Sequence, residues 1–131
     1  RRRFEVKARD IMSKNVVWIR GDGTALEATE SMRTHEISSV LVERRDPDDA
    51  WGIVTLGDVV KRVVEPGLDP RKVHVHEIMS KPLVLISPDL SLHYCAQLMK
   101  RTDMRRLPVF DGKEIVGIVT QKDIVRALLR S

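Results

Sequence analysis

The chain has 131 residues, 42% apolar and 32% charged, with a net charge of +4 and an isoelectric point near 9.5. That is enough for one compact core, and no apolar run reaches the ~18 residues that a membrane-spanning helix needs, so no membrane insertion is expected. The single cysteine excludes an internal disulfide. An aromatic content of 4% is too low for a base-stacking platform, and the basic residues are interleaved with acids, which argues against nucleic acid as the partner.

The chain opens on Arg1-Arg2-Arg3-Phe4, which lacks the apolar stretch of a secretory signal and an initiator Met. The reading is an excised, cytoplasmic piece whose Arg run is a solvated tail. From residue 6 the chain is written twice. Val6-Lys-Ala-Arg-Asp-Ile-Met-Ser-Lys14 returns as Val73-His-Val-His-Glu-Ile-Met-Ser-Lys81, and Gly52-Ile-Val-Thr-Leu-Gly-Asp58 as Gly117-Ile-Val-Thr-Gln-Lys-Asp123. Such a duplication predicts two equivalent halves packed face to face about a pseudo-twofold axis, with ligand clefts at the seam. The first copy spans residues 6–64, a linker 65–72 and the second copy 73–131.

Each copy predicts a short helical turn (8–12, 75–79), a strand (16–19, 83–86) and a turn. Next is an amphipathic helix, opened in the first copy by the capping box Thr24-Ala-Leu-Glu27. Its apolar face is expected at Leu26, Thr29 and Met32, and at Leu92, Ala96 and Met99 in the second copy. Two apolar strands then form a hairpin, 40–42 with 53–54 and 107–110 with 115–119. The second hairpin turns tightly at Asp111-Gly112, and the first carries a longer polar loop, 44–50. A last helix closes each copy (58–64, 123–129).

Thr55-Leu-Gly-Asp58 and Thr120-Gln-Lys-Asp123 stand where a strand feeds a helix. Unpaired N–H groups favour an anion there, and an Asp one turn inside could accept both hydroxyls of a ribose. The same spacing fits a plain helix cap. Spacing alone leaves both readings open.

The order of Ile-Met-Ser, Leu107-Pro-Val-Phe-Asp111 and Gly-Ile-Val-Thr-x-x-Asp, present in two copies, resembles the cystathionine β-synthase (CBS) domain, so the chain looks like a tandem CBS pair, the Bateman module. The resemblance implies an α/β fold of two βαββα-type repeats, an adenosine-containing ligand such as AMP, ADP, ATP or S-adenosylmethionine, and a homodimer. It makes the Thr and Asp of each motif ribose contacts. The stretches Lys81-Pro-Leu-Val-Leu-Ile-Ser-Pro88 and Arg106-Leu-Pro-Val109 are similar to the nucleotide-sensing γ subunits of AMP-activated protein kinase.

The copies differ in charge. Arg105-Arg106 of the second stand where the first has Ser38-Ser39, and Lys122 stands where the first has Gly57. By the family pattern, one site combines Thr55 and Asp58 with Leu83 and Val84 flanking adenine and with Arg105, Arg106 and Lys122 on phosphate, for which the Arg fork is suited. The other combines Thr120, Asp123, Val16, Val17, Ser38 and Ser39. It lacks the cations, has Leu41 where the family has Pro, and would take a nucleoside, an adenosine derivative such as S-adenosylmethionine, or nothing.

Other residues read as structural. His74 and His76 correspond to Lys7 and Arg9, which argues for exposed polar positions over a metal site. Cys95, Trp18, Trp51 and the methionines Met12, Met32, Met79 and Met99 read as packing residues. No nucleophile with a base and no paired carboxylates appear in the sequence, so no catalysis is expected. Val59, Val60, Val63 and Val64, with Ile124, Val125, Leu128 and Leu129, offer more apolar surface than one helix face needs, predicting dimerisation. The competing classes are a ligand-free interaction module and a nucleic-acid-binding protein. Nothing in the chain names a client.

Overall fold

The computed structural model describes residues 5–130. The initial Arg run and Phe4 lie outside the described residues. The chain divides into two compact units, one running from Val17 to Leu83 and the other joining the residues up to Val16 to those from Val84 onward.

In the first unit, β1 (Trp18–Ile19) pairs parallel with β2 (Ser39–Val42), which pairs antiparallel with β3 (Gly52–Thr55). In the second, β4 (Arg106–Phe110) and β5 (Ile115–Thr120) form an antiparallel hairpin. The strand expected over 83–86 is reduced to a single parallel bridge between Ile86 and Val109. The reason is one residue. Leu41 N–H donates to the Val17 carbonyl at 2.9 Å, whereas its counterpart Pro108 has no N–H to offer Val84. In the first unit the strand begins at Trp18 rather than residue 16, because Val16 N–H turns back to the Lys14 carbonyl (2.9 Å).

The helices α2 (Ala25–Thr34) and α5 (Leu92–Thr102) lie where their caps put them. Thr24 Oγ1 accepts from Glu27 N–H at 3.1 Å and Thr24 N–H donates to Glu27 at 3.4 Å, so the capping box forms. The buried face of α2 is Ala25, Ala28 and Met32, and that of α5 is Leu92, Cys95 and Met99. Met32, Leu92 and Met99 are buried as expected, while Leu26 and Thr29 are only half-buried and Ala96 is exposed; each buried face is an i, i+3, i+7 stripe.

The closing helices differ. α6 (Gln121–Arg130) is regular, but α3 (Leu56–Val59) continues as a π-helical turn over Val60–Val64, with Glu65 N–H reaching the Val60 carbonyl at 2.8 Å. Val59, Val60, Val63 and Val64 are β-branched and stiff in a helix, and the wider turn relieves crowding between them.

The opening motifs cross over. The short helix α1 (Ala8–Ile11) packs with Ile86, Leu92, Leu107 and Val119, residues of the second copy, while α4 (Val75–Ile78) packs with Ala28, Met32, Val40 and Val54 of the first. Each is bonded in the same way. Ser13 and Ile118 exchange N–H···O bonds at 2.9 and 3.0 Å, as Ser80 and Ile53 do at 2.9 and 3.0 Å. This approach requires glycine: a Cβ on Gly52 would stand 2.9 Å from the Met79 sulfur, and one on Gly117 would stand 2.9 Å from the Ser13 carbonyl oxygen. Ile-Met-Ser and Gly-Ile-Val-Thr recur together because each copy of one is the packing surface for the other motif of the opposite copy.

Candidate functional site

Both Thr-x-x-Asp motifs form reciprocal caps. Thr55 N–H donates to Asp58 Oδ2 at 2.8 Å and Asp58 N–H donates back to Thr55 Oγ1 at 3.1 Å. In the second copy Thr120 N–H and Oγ1–H both donate to Asp123 Oδ2, at 2.8 and 3.0 Å, and Asp123 N–H returns a 3.3 Å bond. The cap and the ribose reading are thus compatible. The cap uses Oδ2 and fixes the carboxylate's rotamer, while Oδ1 is held at a known place.

The two carboxylates differ in access. Asp58 is half-buried, whereas Asp123 is 8% exposed and its Oδ1 lies 4.0 Å from the Arg126 guanidinium.

Within the Val17–Leu83 unit, strand register sets Ser39 opposite Thr55, and the Ser38 carbonyl accepts from Leu56 N–H at 3.0 Å. Ser39 is buried; Ser38, Val17 and Leu83 are half-buried. Within the other unit, register sets Arg106 opposite Thr120. Arg106 is half-buried at the start of β4, Arg105 is exposed beside it, and Lys122 is exposed in the first turn of α6. Val16 and Val84, in the same unit, are half-buried. The structure therefore brings the three cations of the second copy to the end of the β4–β5 ladder that carries Thr120 and Asp123. It brings the two serines to the end that carries Thr55 and Asp58.

The residues read as structural divide further. Cys95 is fully buried, and burial pushes its thiol up to about 11, so it is protonated and unreactive at neutral pH. The exposed rings of His74 and His76 stack at 5.3 Å, and His74 Nδ1 lies 3.2 Å from the Asp22 carbonyl. Among the described residues, no three His, Cys, Asp or Glu side chains gather where an ion could be held. No described helix is long and apolar enough to cross a membrane.

Sequence reasoning missed a cavity-bearing region. The loop after β2 folds so that Asp49 accepts from Lys81 Nζ at 2.7 Å and from Arg45 Nε at 3.0 Å, and Arg44 lies 4.6 Å over the Trp51 ring. The signal was the greater length of residues 44–50 relative to the Asp111-Gly112 turn.

Two α/β repeats with paired strand-to-helix Thr-Asp caps and exchanged opening helices define a duplicated α/β module. The chain belongs to the CBS domain family, whose model matches residues 8–65 and 75–130. It is 34% identical over 123 residues to an uncharacterized protein of Methanopyrus kandleri, covering 93% of this chain and 60% of that one. It is 31% identical to Hypoxic response protein 1 of Mycobacterium tuberculosis, covering 92% and 84%. Among solved structures, the hexameric CBS-CP12 protein from bloom-forming cyanobacteria superposes with a TM-score of 0.88 at 41% identity, over 92% of this chain and 66% of that one. Hypoxic Response Protein I, solved with two coordinated zinc ions, gives a TM-score of 0.73 at 30% identity, over 92% and 98%. The chain thus spans less than two thirds of the Methanopyrus and CBS-CP12 chains and most of the mycobacterial one. It is a tandem CBS pair, a class of generally regulatory, ligand-binding modules.

Proposed function

We propose that this CBS pair is a regulatory sensor that reversibly binds an adenine nucleotide, AMP, ADP or ATP, and reports occupancy through its self-association. The observation that carries the reading is the reciprocal cap. At Asp58 it immobilises a half-exposed carboxylate with one oxygen engaged, the state in which an acceptor-only group can take a ribose diol without further ordering cost. The ribose binds at Thr55 and Asp58, adenine lies between Leu83 and Val84, and Arg105, Arg106 and Lys122 take the phosphate. Pro108 supports the adenine placement. It makes no ladder bond to the Val84 carbonyl, which leaves that acceptor for the adenine amino group.

A second assignment of the ribose is favoured by the register of Arg106 with Thr120, which sets the cations beside Asp123 of their own copy. In that arrangement Asp123, not Asp58, shares the nucleotide with the cations. Val16, Val17, Ser38 and Ser39 then belong with Asp58 in a site for an adenosine derivative without phosphate, such as S-adenosylmethionine. Ligand shifts assembly only by binding one arrangement better than another.

The competing function is an interaction module without a small ligand. Exposed apolar side chains favour it, Val60 and Val64 on one unit and Val125, Leu128 and Leu129 on the other, as does the hexameric CBS-CP12 neighbour. A thermal-shift screen with AMP, ADP, ATP, adenosine and S-adenosylmethionine separates the two. A ligand at ~100 times its Kd adds about 2.7 kcal/mol of stability, a readily measured rise in midpoint. An unchanged midpoint with every one of them at about 1 mM would leave the interaction module as the function.

A further inference from the structure

Beyond the nucleotide reading, we infer a second anion site, specific to the first copy, for the oligophosphate class of ligand. It lies past the carboxyl ends of the parallel strands β1 and β2, at the end of the sheet opposite Thr55 and Asp58. A cavity of about 650 Å³ opens there, within the range of small-molecule sites. Val42 and Met79 form its apolar floor, and Arg20, Arg44, Arg45 and Lys81 stand around it.

Hydrogen-bonding capacity decides what it accepts. Two of the three carboxylates that line the cavity, Asp49 and Asp22, are already engaged. Asp49, only 9% exposed at its side chain, takes Lys81 Nζ at 2.7 Å, Arg45 Nε at 3.0 Å and Arg45 N–H at 3.0 Å. Asp22 takes Arg20 Nε and a terminal nitrogen at 3.0 and 2.9 Å. These pairs hold the cations in place without exhausting them, since Lys carries three N–H donors and Arg five. The lining therefore keeps an excess of oriented donors over acceptors, with four cations against the carboxylates of Asp22, Glu43 and Asp49. An acceptor-only, multiply charged ligand completes such a set, and phosphate oxygens match the Arg fork. Arg44, held over Trp51, is pre-positioned in the same way.

Among the described residues the second copy has a shorter hairpin loop, Asp111-Gly112-Lys113-Glu114, with Asp111 and Gly112 where the first copy has Arg44 and Arg45. The two-residue excess of the first copy is what builds the site.

The only tryptophans, Trp18 and Trp51, stand 6.0 Å apart, and Arg44 of the cavity lining lies over Trp51, so intrinsic fluorescence responds to a displacement of Arg44. Titration of the intact chain with inorganic tripolyphosphate is expected to change the emission saturably, with a Kd below about 1 mM at ~0.1 M salt. Arg44→Ala and Arg45→Ala each weaken binding about tenfold or more, while Lys113→Ala, at an exposed cation of the second hairpin outside the cavity lining, leaves it intact. Circular dichroism establishes that each variant is folded, and Arg45→Lys, which keeps charge but loses the fork, falls between Ala and the parent. No saturation up to about 10 mM would overturn the site. So would a response that the Arg44 and Arg45 variants keep.

Discussion

Gly117 lies so close to Met12, 105 positions earlier in the chain, that a Cβ on the glycine would stand 2.5 Å from the Met12 sulfur. The sister contact is Gly52 with Met79, at 2.9 Å. The contact ties the start of one copy to the end of the other, and a side chain is excluded at both positions. Gly117→Ala is expected to destabilise the protein by about 1–3 kcal/mol, the usual cost of overpacking. Gly52→Ala is expected to cost less, because its Cβ would meet the Met79 sulfur at 2.9 Å and the Ser80 carbonyl oxygen at 3.2 Å, each looser than the 2.5 and 2.9 Å of the corresponding contacts at Gly117. Urea denaturation of the two variants checks the order; equal stabilities with the parent would refute the packing.

Asp49 links pH to the loop. The Arg45 guanidinium, then the Lys81 ammonium, hold its carboxyl well below the usual carboxylate range. A lowered folded-state pKa means that the unfolded chain binds the proton more readily, so the stabilisation is present above the unfolded value of about 4 and is lost as pH falls through the folded value. Asp49→Asn should therefore lower the thermal midpoint at neutral pH, and the difference from the parent should close as pH falls below about 4. A gap that stays constant down to pH ~2 would show that the ion pairs are not its source.

Self-association rests on the exposed apolar residues of the closing helices. Val63 and Val59 are spent inside the first core at 1% and 7% exposure, which leaves Val60 and Val64 exposed on one unit, as Val125, Leu128 and Leu129 are on the other. These apolar surfaces are expected to be covered in a twofold dimer. Sedimentation equilibrium should give twice the chain mass at micromolar concentration, and Val125→Asp with Leu129→Asp should return it to monomer without loss of helical signal. A 15.0 kDa species in the parent at all micromolar concentrations would contradict this.

Much of the fold was legible because the duplication let each copy check the other. The capping box at Thr24, the Asp111-Gly112 turn and both hairpins were readable from local chemistry. On α2 and α5 the buried Met32, Leu92 and Met99 were read correctly, whereas Leu26, Thr29 and Ala96 were not, because the small residues Ala25, Ala28 and Cys95 take the neighbouring inward positions. The shortened strand near Ile86 was legible in principle: Pro108 cannot make the bond that Leu41 makes. The crossing of α1 and α4 was not legible, because repetition says that two segments are equivalent and does not say with which copy each packs. For the candidate site, sequence showed the Thr-x-x-Asp pairs and the cation asymmetry. It could not show that each cap engages one carboxylate oxygen, Oδ2, nor that the Arg45–Asp49–Lys81 cluster would assemble from residues up to 36 positions apart.

The most direct test of the nucleotide account is calorimetry of AMP and adenosine against the parent, Asp58→Ala, Asp123→Ala and Arg106→Ala. The parent is expected to bind AMP, loss of the ribose carboxylate to weaken AMP and adenosine alike by about 1.5–3 kcal/mol, and Arg106→Ala to weaken AMP alone, with a salt-dependent loss. A loss at Asp58→Ala places the ribose in the first copy, and one at Asp123→Ala places it beside the cations. Binding of AMP that is indifferent to both aspartates, or equal losses of AMP and adenosine in Arg106→Ala, would contradict it.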